Sequence, residues 1–231
     1  MLHTQENTRL ALLRDVAQDS LMIHEIYASI QGESSHAGLP CTFVRTSACH
    51  LRCRYCDTPH AFHAGTSMTL EAIEAAVSAL GHPLVEITGG EPLLQENINI
   101  LMTRLCDQGY RVLLETSGSL DISAVDPRVV RIVDMKTPFS GEESANVYEN
   151  LQVLRAEDEV KFVIADRHDY EWARALLQRH RLSASAKVLM GTVHGALPDA
   201  DLVQWILEDG LDVRFQLQVH KIIWDPNKRG V

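Results

Sequence analysis

The chain has 231 residues, of which 45% are hydrophobic and 23% charged, the balance of a globular protein with one sizeable core. Asp and Glu outnumber Lys and Arg by 31 to 21. That disfavours a nucleic-acid partner, whose phosphates call for a basic face, and no run of 18 apolar residues reads as a membrane span. The opening stretch (His3, Thr4, Gln5, Glu6, Asn7) is polar and lacks the basic start and apolar segment of a secretory signal, so a cytoplasmic location is expected. Without linker, repeat or low-complexity segment, residues 1–231 read as a single domain with residues 1–20 as an N-terminal extension.

Short apolar, β-branched runs predict strands at residues 42–45, 84–87, 111–114, 129–133, 159–164, 187–190 and 213–217. Helical spacing appears between several of them. Leu70, Ile73, Val77 and Leu80 recur every three or four residues behind Thr69, a natural N-cap. Ile98, Leu101, Met102 and Leu105 repeat the pattern up to Gly109, and residues 170–180 and 201–209 also read as helices. Alternating strands and helices imply a mostly parallel sheet covered by helices, either doubly wound or curling into a partial barrel. In a barrel the chemistry lies beyond the C-terminal ends of the strands. Polar residues do follow the apolar runs: Gly89-Gly90-Glu91-Pro92, Glu115-Thr116-Ser117-Gly118, Asp134-Met135-Lys136-Thr137, and finally Gln218 and His220. These are expected to face one mouth.

Five cysteines is an odd count, and Cys49, Cys53 and Cys56 fall within eight residues as C-x3-C-x2-C, directly after a predicted strand. This argues against a disulfide framework and for a metal site in a reducing compartment. Three thiolates from one loop suit an iron–sulfur cubane with one iron left open. Structural zinc, with His50 as a fourth ligand, is an alternative, although no second cysteine pair is present. A simple electron carrier would need a fourth cysteine. Cys41 and Cys106 stand in apolar contexts and read as buried small hydrophobes.

The cysteine loop and Gly89-Gly90-Glu91-Pro92 resemble the cluster and S-adenosylmethionine (SAM) motifs of the radical SAM superfamily. Glu25-Ile26-Tyr27-Ala28-Ser29-Ile30-Gln31-Gly32-Glu33, Phe43-Val44-Arg45, Cys56-Asp57-Thr58, Glu115-Thr116-Ser117-Gly118, Glu159-Val160-Lys161-Phe162 and Gln216-Leu217-Gln218-Val219-His220-Lys221 resemble the 7-carboxy-7-deazaguanine synthase family over residues 22–226. The resemblance implies an α/β fold, a partial, modified (β/α) barrel of the radical SAM type. It implies conversion of 6-carboxy-5,6,7,8-tetrahydropterin to 7-carboxy-7-deazaguanine with loss of ammonia, on the route to queuosine. A [4Fe-4S] cluster, SAM and Mg²⁺ are the implied cofactors. A homodimer and an electron donor such as a flavodoxin or ferredoxin are the implied partners.

By the same resemblance Cys49, Cys53 and Cys56 hold the cluster and Thr58 contacts magnesium, with Asp57 the more obvious oxygen donor by chemistry. Gln31, Gly32, Glu33, Arg45, Thr88 and His220 bind substrate; Tyr55, Gly90, Glu91, Glu115, Ser117 and Lys136 bind SAM. Arg45 offers a fork for a carboxylate, and Glu33 an acceptor for ring N–H groups. His194 is a weaker candidate. Ser47-Ala48 and His50 depart from the glycine and asparagine common around the first cysteine, a change expected to alter loop packing rather than ligation. The rivals are a radical SAM activase of a glycyl-radical enzyme and a non-catalytic zinc or iron–sulfur protein.

Overall fold

The computed structural model describes residues 8–14, 16–226 and 228–231; the polar opening stretch, residues 3–7, lies outside them. Along the chain run β1 (Ser20–Ile30), β2 (Pro40–Thr46), β3 (Thr66–Thr69), α1 (Leu70–Leu80), β4 (Leu84–Gly89), α2 (Ile98–Asp107), β5 (Arg111–Thr116) and β6 (Val130–Asp134). They continue with β7 (Glu159–Ile164), α3 (Arg167–His180), α4 (Leu182–Ser185), β8 (Lys187–Thr192), α5 (Asp199–Asp209), β9 (Arg214–Phe215) and α6 (Val219–Ile223).

The nine strands form one open sheet in the order β3-β1-β2-β4-β5-β6-β7-β8-β9. From β2 to β9 every pairing is parallel, as the buried apolar runs predict, while β1 pairs antiparallel with both β2 and β3. The partial barrel is therefore present, with an antiparallel edge that the reading of strands left out. Thr69 caps α1 as expected, its hydroxyl accepting from the Ala72 N–H at 3.2 Å. The strand expected at 213–217 shrinks to Arg214–Phe215. Beyond it the chain turns to the hairpin of β1 and β2: the Ser34 N–H donates to Gln216 Oε1 (3.1 Å) and the Val219 N–H to the Gly32 carbonyl (2.9 Å).

Side chains alternate across a strand, so the sheet has two faces of different character. One carries Val44, Val85, Ile87, Val112, Leu114, Val133, Val160 and Phe162 into a core shared with the helices, including Leu70, Ile73, Leu101 and Tyr170. On the other face a small apolar floor gathers Cys41, Phe43, Leu84, Leu113 and Ile132. Tyr27 stacks on Phe43 there, with ring centroids 5.1 Å apart. Cys41 is fully buried in that floor and Cys106 packs half-buried against the main core, so both act as small hydrophobes.

Candidate active site

Above the apolar floor the same face becomes polar. Glu25 lies opposite Arg45 in register, and Arg45 opposite Thr88; Asp134 lies opposite Lys161. These residues line a cavity of about 880 Å³ at the C-terminal ends of the parallel strands. All four polar strand ends reach it: Thr88 and Gly90, Glu115 and Ser117, Asp134 and Lys136, and Gln218 and His220.

Lys161 is the centre of the charge layer. Its ammonium lies 2.5 Å from Glu33 Oε2 and 2.6 Å from Glu115 Oε1, with 8% of the side chain exposed. Burial works against that charge, but Glu115 and Glu33 outweigh it and hold the lysine well above its ordinary range. Glu115 shows the reciprocal effect: burial favours its proton, and Lys161 overrides it, keeping the carboxyl below the usual value. Glu33 also accepts from Gln218 Nε2 (2.8 Å) and Gln216 Nε2 (3.2 Å). Glu86, on the floor side, is pushed well above the carboxylate range by burial and then by the charge of Glu115. Its carboxyl accepts a short hydrogen bond from Gln31 Nε2.

Arg45 is held by Glu25 Oε1 (2.8 Å, from Nε) and by the Tyr27 hydroxyl (3.0 Å, from Nη2), leaving other N–H groups unspent. His220 packs over Gly32 so closely that a methyl group there would overlap its Nδ1. Burial, the largest influence on His220, keeps its imidazole below the ordinary histidine range. Tyr55, Asp57, Thr58 and His194 also line the cavity. Asp57 is taken up by Lys221 Nζ at 3.1 Å. Thr58 begins a short turn (Pro59–Phe62) without capping it, and its hydroxyl lies 3.8 Å from Cys56 Sγ.

The cysteine loop lines the same cavity. Cys49, Cys53 and Cys56 gather with Leu51, Phe62 and Ala145 in an apolar nest. Burial pushes the Cys49 thiol up to about 12 and the Cys53 thiol to about 11. Soft sulfur donors in an apolar wall fit an iron–sulfur cluster, whose positive irons compensate the thiolates. Beside the nest, the Gly90 N–H donates to the Thr46 carbonyl (3.2 Å) and the Glu91 N–H to the Ala48 carbonyl (2.9 Å). This approach of backbone to backbone leaves no room for a side chain at Gly90. Ala48 has φ 74°, a left-handed conformation costing about 1 kcal/mol with a side chain. His50 Nε2 lies 2.9 Å from Ser119 Oγ, which ties the ring to the neighbouring loop.

Glu91 stands apart from the other candidates: it is fully buried and does not line the cavity. Its carboxylate accepts from Leu93 N–H (3.0 Å), Thr116 Oγ1 (2.8 Å), Ser117 N–H (2.7 Å) and Ser117 Oγ (2.5 Å). In this geometry it fixes the Ser117 strand end rather than presenting oxygens to a ligand. Asp134 gives Oδ2 to Lys136 Nζ (2.6 Å), while Oδ1 is buried without a partner among the described residues, an acceptor that suits a ligand's donor. Lys161, Glu86, Lys221 and Gln216 are site residues to which no role was assigned from sequence. For Glu86 and Lys161 the signal is a charge inside an apolar strand, as in Leu84-Val85-Glu86-Ile87; Lys221 and Gln216 carry no such signal.

Residues 43–179 match the radical SAM superfamily. A 7-carboxy-7-deazaguanine synthase of Koribacter versatilis (strain Ellin345) is 48% identical over 226 residues, covering 91% of this chain and 100% of that protein. The chain belongs to the 7-carboxy-7-deazaguanine synthase family. A second synthase, from Chlorobaculum tepidum, is 47% identical over 214 residues, covering 91% of this chain and 97% of its own length. The crystal structure of QueE from Escherichia coli shares the fold, with a TM-score of 0.69 at 21% identity over 85% of this chain and 94% of that one. As a synthase of the radical SAM type the protein uses a [4Fe-4S] cluster and SAM, which sets aside the zinc-protein reading.

Proposed function

We propose that the protein contracts the ring of 6-carboxy-5,6,7,8-tetrahydropterin to 7-carboxy-7-deazaguanine with release of ammonia, as a carbon–nitrogen lyase of 7-deazapurine and queuosine biosynthesis. The observation that carries this reading is that a single cavity is lined both by Cys49, Cys53 and Cys56 and by Gln31, Glu33, Arg45 and His220. When bound, the reduced cluster supplies the electron that cleaves SAM and so provides the radical that takes a substrate hydrogen.

The chain's own residues then bind and orient. Arg45, held at two nitrogens, turns its remaining N–H groups to the substrate carboxylate. Glu33, kept ionised beside Lys161, accepts from the N–H edge of the pterin, and Gln31 completes that edge. His220 offers a neutral ring for holding a proton near the departing nitrogen. Thr88 supports the substrate side. Glu115, Ser117, Lys136, Tyr55 and Gly90 enclose SAM. Glu91 acts on that side by holding Ser117 in place. Thr58 would hold Mg²⁺ through its hydroxyl, and the ion would supply positive charge for the substrate carboxylate. Asp57 and His194 remain lesser contributors. A flavodoxin or ferredoxin is the expected reductant, and we read the protein as a cytoplasmic, single-domain homodimer; among the described residues no helix is long and apolar enough to cross a membrane.

The test is anaerobic incubation of the reconstituted, reduced protein with SAM, Mg²⁺ and the carboxytetrahydropterin, followed by mass spectrometry. The expected products are 7-carboxy-7-deazaguanine and 5′-deoxyadenosine. 5′-Deoxyadenosine alone would sink the proposed substrate. A finer check is Gly32→Ala, which would push the His220 ring aside. We expect kcat/KM to fall about 10²-fold from misplacement alone. Stability should change by no more than about 1 kcal/mol, because the ring can move toward the cavity. An unchanged kcat/KM would show that the His220 position does not matter.

A further inference from the structure

We propose that His24, Glu25 and His60 form a second metal site, for a borderline divalent ion such as zinc, at the rim of the cavity. Each offers a ligand atom, and the three atoms lie within 4.8 Å of one another. Strand geometry alone would not bring them together, since neighbouring residues of a strand point to opposite faces. The ladder between β1 and β2 is broken by a bulge between Ile23 and Glu25, and His24 is the residue inside it. A bulge re-aims side chains, here bringing His24 and Glu25 to one side. His60 comes from the separate turn Pro59–Phe62 that follows the cysteine loop. The ion would therefore tie β1 to the segment that carries Thr58.

The donors are already arranged for ligation. His24 Nδ1 lies 3.0 Å from the Ala64 carbonyl. That hydrogen bond puts the proton on Nδ1 and leaves the lone pair on Nε2, the usual support of a metal-binding imidazole. The His24 and His60 rings sit 5.0 Å apart between centroids, tilted by 54°. Glu25 spends Oε1 on Arg45 and keeps Oε2. Two imidazoles and one carboxylate match zinc or another late first-row ion, with a fourth position open to water. They do not match Mg²⁺, which prefers an octahedron of oxygens, so this site is distinct from the one at Thr58. Arg45 shares the Glu25 carboxylate, and its positive charge opposes the ion and lowers the affinity. Glu25 and His60 both line the cavity, so the bound ion would steady the Glu25–Arg45 pair on which substrate binding is proposed to rest.

Zinc chloride titrated by calorimetry into the cluster-loaded protein under anaerobic conditions tests this, because the cysteines are then occupied. We expect one zinc per chain, and at least about a tenfold weakening for His24→Ala and for His60→Ala, the low end of what a supporting group costs. Iron–sulfur absorption and melting temperature should persist in the same samples. If His24→Ala melts early through loss of its Ala64 bond, His60→Ala decides alone. The zinc K-edge spectrum should show nitrogen and oxygen neighbours with imidazole scattering. Absence of zinc uptake, equal binding by the variants, or sulfur in the first shell would each overturn the site. None of these readouts depends on the pterin reaction, so they separate this inference from the proposed substrate.

Discussion

The Cys53→Ala protein is expected to fold, to take up no stable cluster, and to form neither 5′-deoxyadenosine nor the deazaguanine. Cys53 sits half-buried at the edge of the apolar nest, on the cavity side of the sheet. The main core lies on the opposite face, so truncation to a methyl group removes little packing from it. The chemical loss is much larger. Burial holds the Cys49 and Cys53 thiols at about 12 and about 11, so at neutral pH each must give up a proton before it can bind iron. Three simultaneous Fe–S bonds repay that cost; two leave the cluster open to exchange and loss. Iron analysis and circular dichroism on the same preparation check both halves. Four irons retained by the alanine variant would remove Cys53 from the ligand set, and loss of the circular dichroism signal would show a structural role.

The second large effect is expected from Lys161→Met. Methionine nearly conserves the shape but leaves Glu33 and Glu115 facing each other without their cation. Removing one partner of a buried ion pair costs about 3–5 kcal/mol, and access of water to the cavity favours the lower figure, about 3 kcal/mol. At about 2–4 °C per kcal/mol for a chain of this size, the melting temperature should fall by about 6–12 °C. The dependence on pH follows from the two partners. Glu115, with a lowered folded value, contributes above its unfolded value of about 4.3 and loses that contribution as pH falls through the folded one. Lys161, with a raised folded value, contributes fully below its unfolded value of about 10.4 and loses that contribution as pH rises through the folded one. The gap between wild type and variant should therefore be widest between about pH 5 and pH 10 and narrow in acid. Thermal scans at pH 3 and pH 7 test it. A constant gap would mean that the lysine stabilises through packing alone.

Much of the fold was legible because parallel strands buried on both faces leave unbroken apolar runs, as at β4, β5, β7 and β8. The longest strand, β1, escaped for a physical reason. Leu21 and Ile23 enter the main core; after the bulge the alternation slips by one, and Ile26 joins that core while Tyr27 turns to the floor. A period-two reading fails across such a slip. The strand β3, Thr66–Thr69, is short, polar and at the sheet edge, so it carries no apolar run to read. Within the site, the residue types and the clustering at strand ends could be anticipated. The pairings could not: Lys161 with Glu33 and Glu115, Gln31 with Glu86, and Asp57 with Lys221 all depend on how distant strands and turns come into register. Glu91 shows the limit from the other side. Its motif marks a carboxylate near SAM, but only the geometry reveals that the carboxylate is consumed by Ser117, Thr116 and Leu93.

The bond between Glu33 and Gln218 joins positions 185 residues apart, and the Val219 N–H closes on the Gly32 carbonyl beside it. During synthesis on the ribosome, the cysteine loop and the first parallel strands would emerge long before those partners exist. Such contacts carry a high loop-closure cost and form late. The Glu33–Gln218 side of the cavity would thus close only after the cysteine loop and its packing partner Ala145 have both been made.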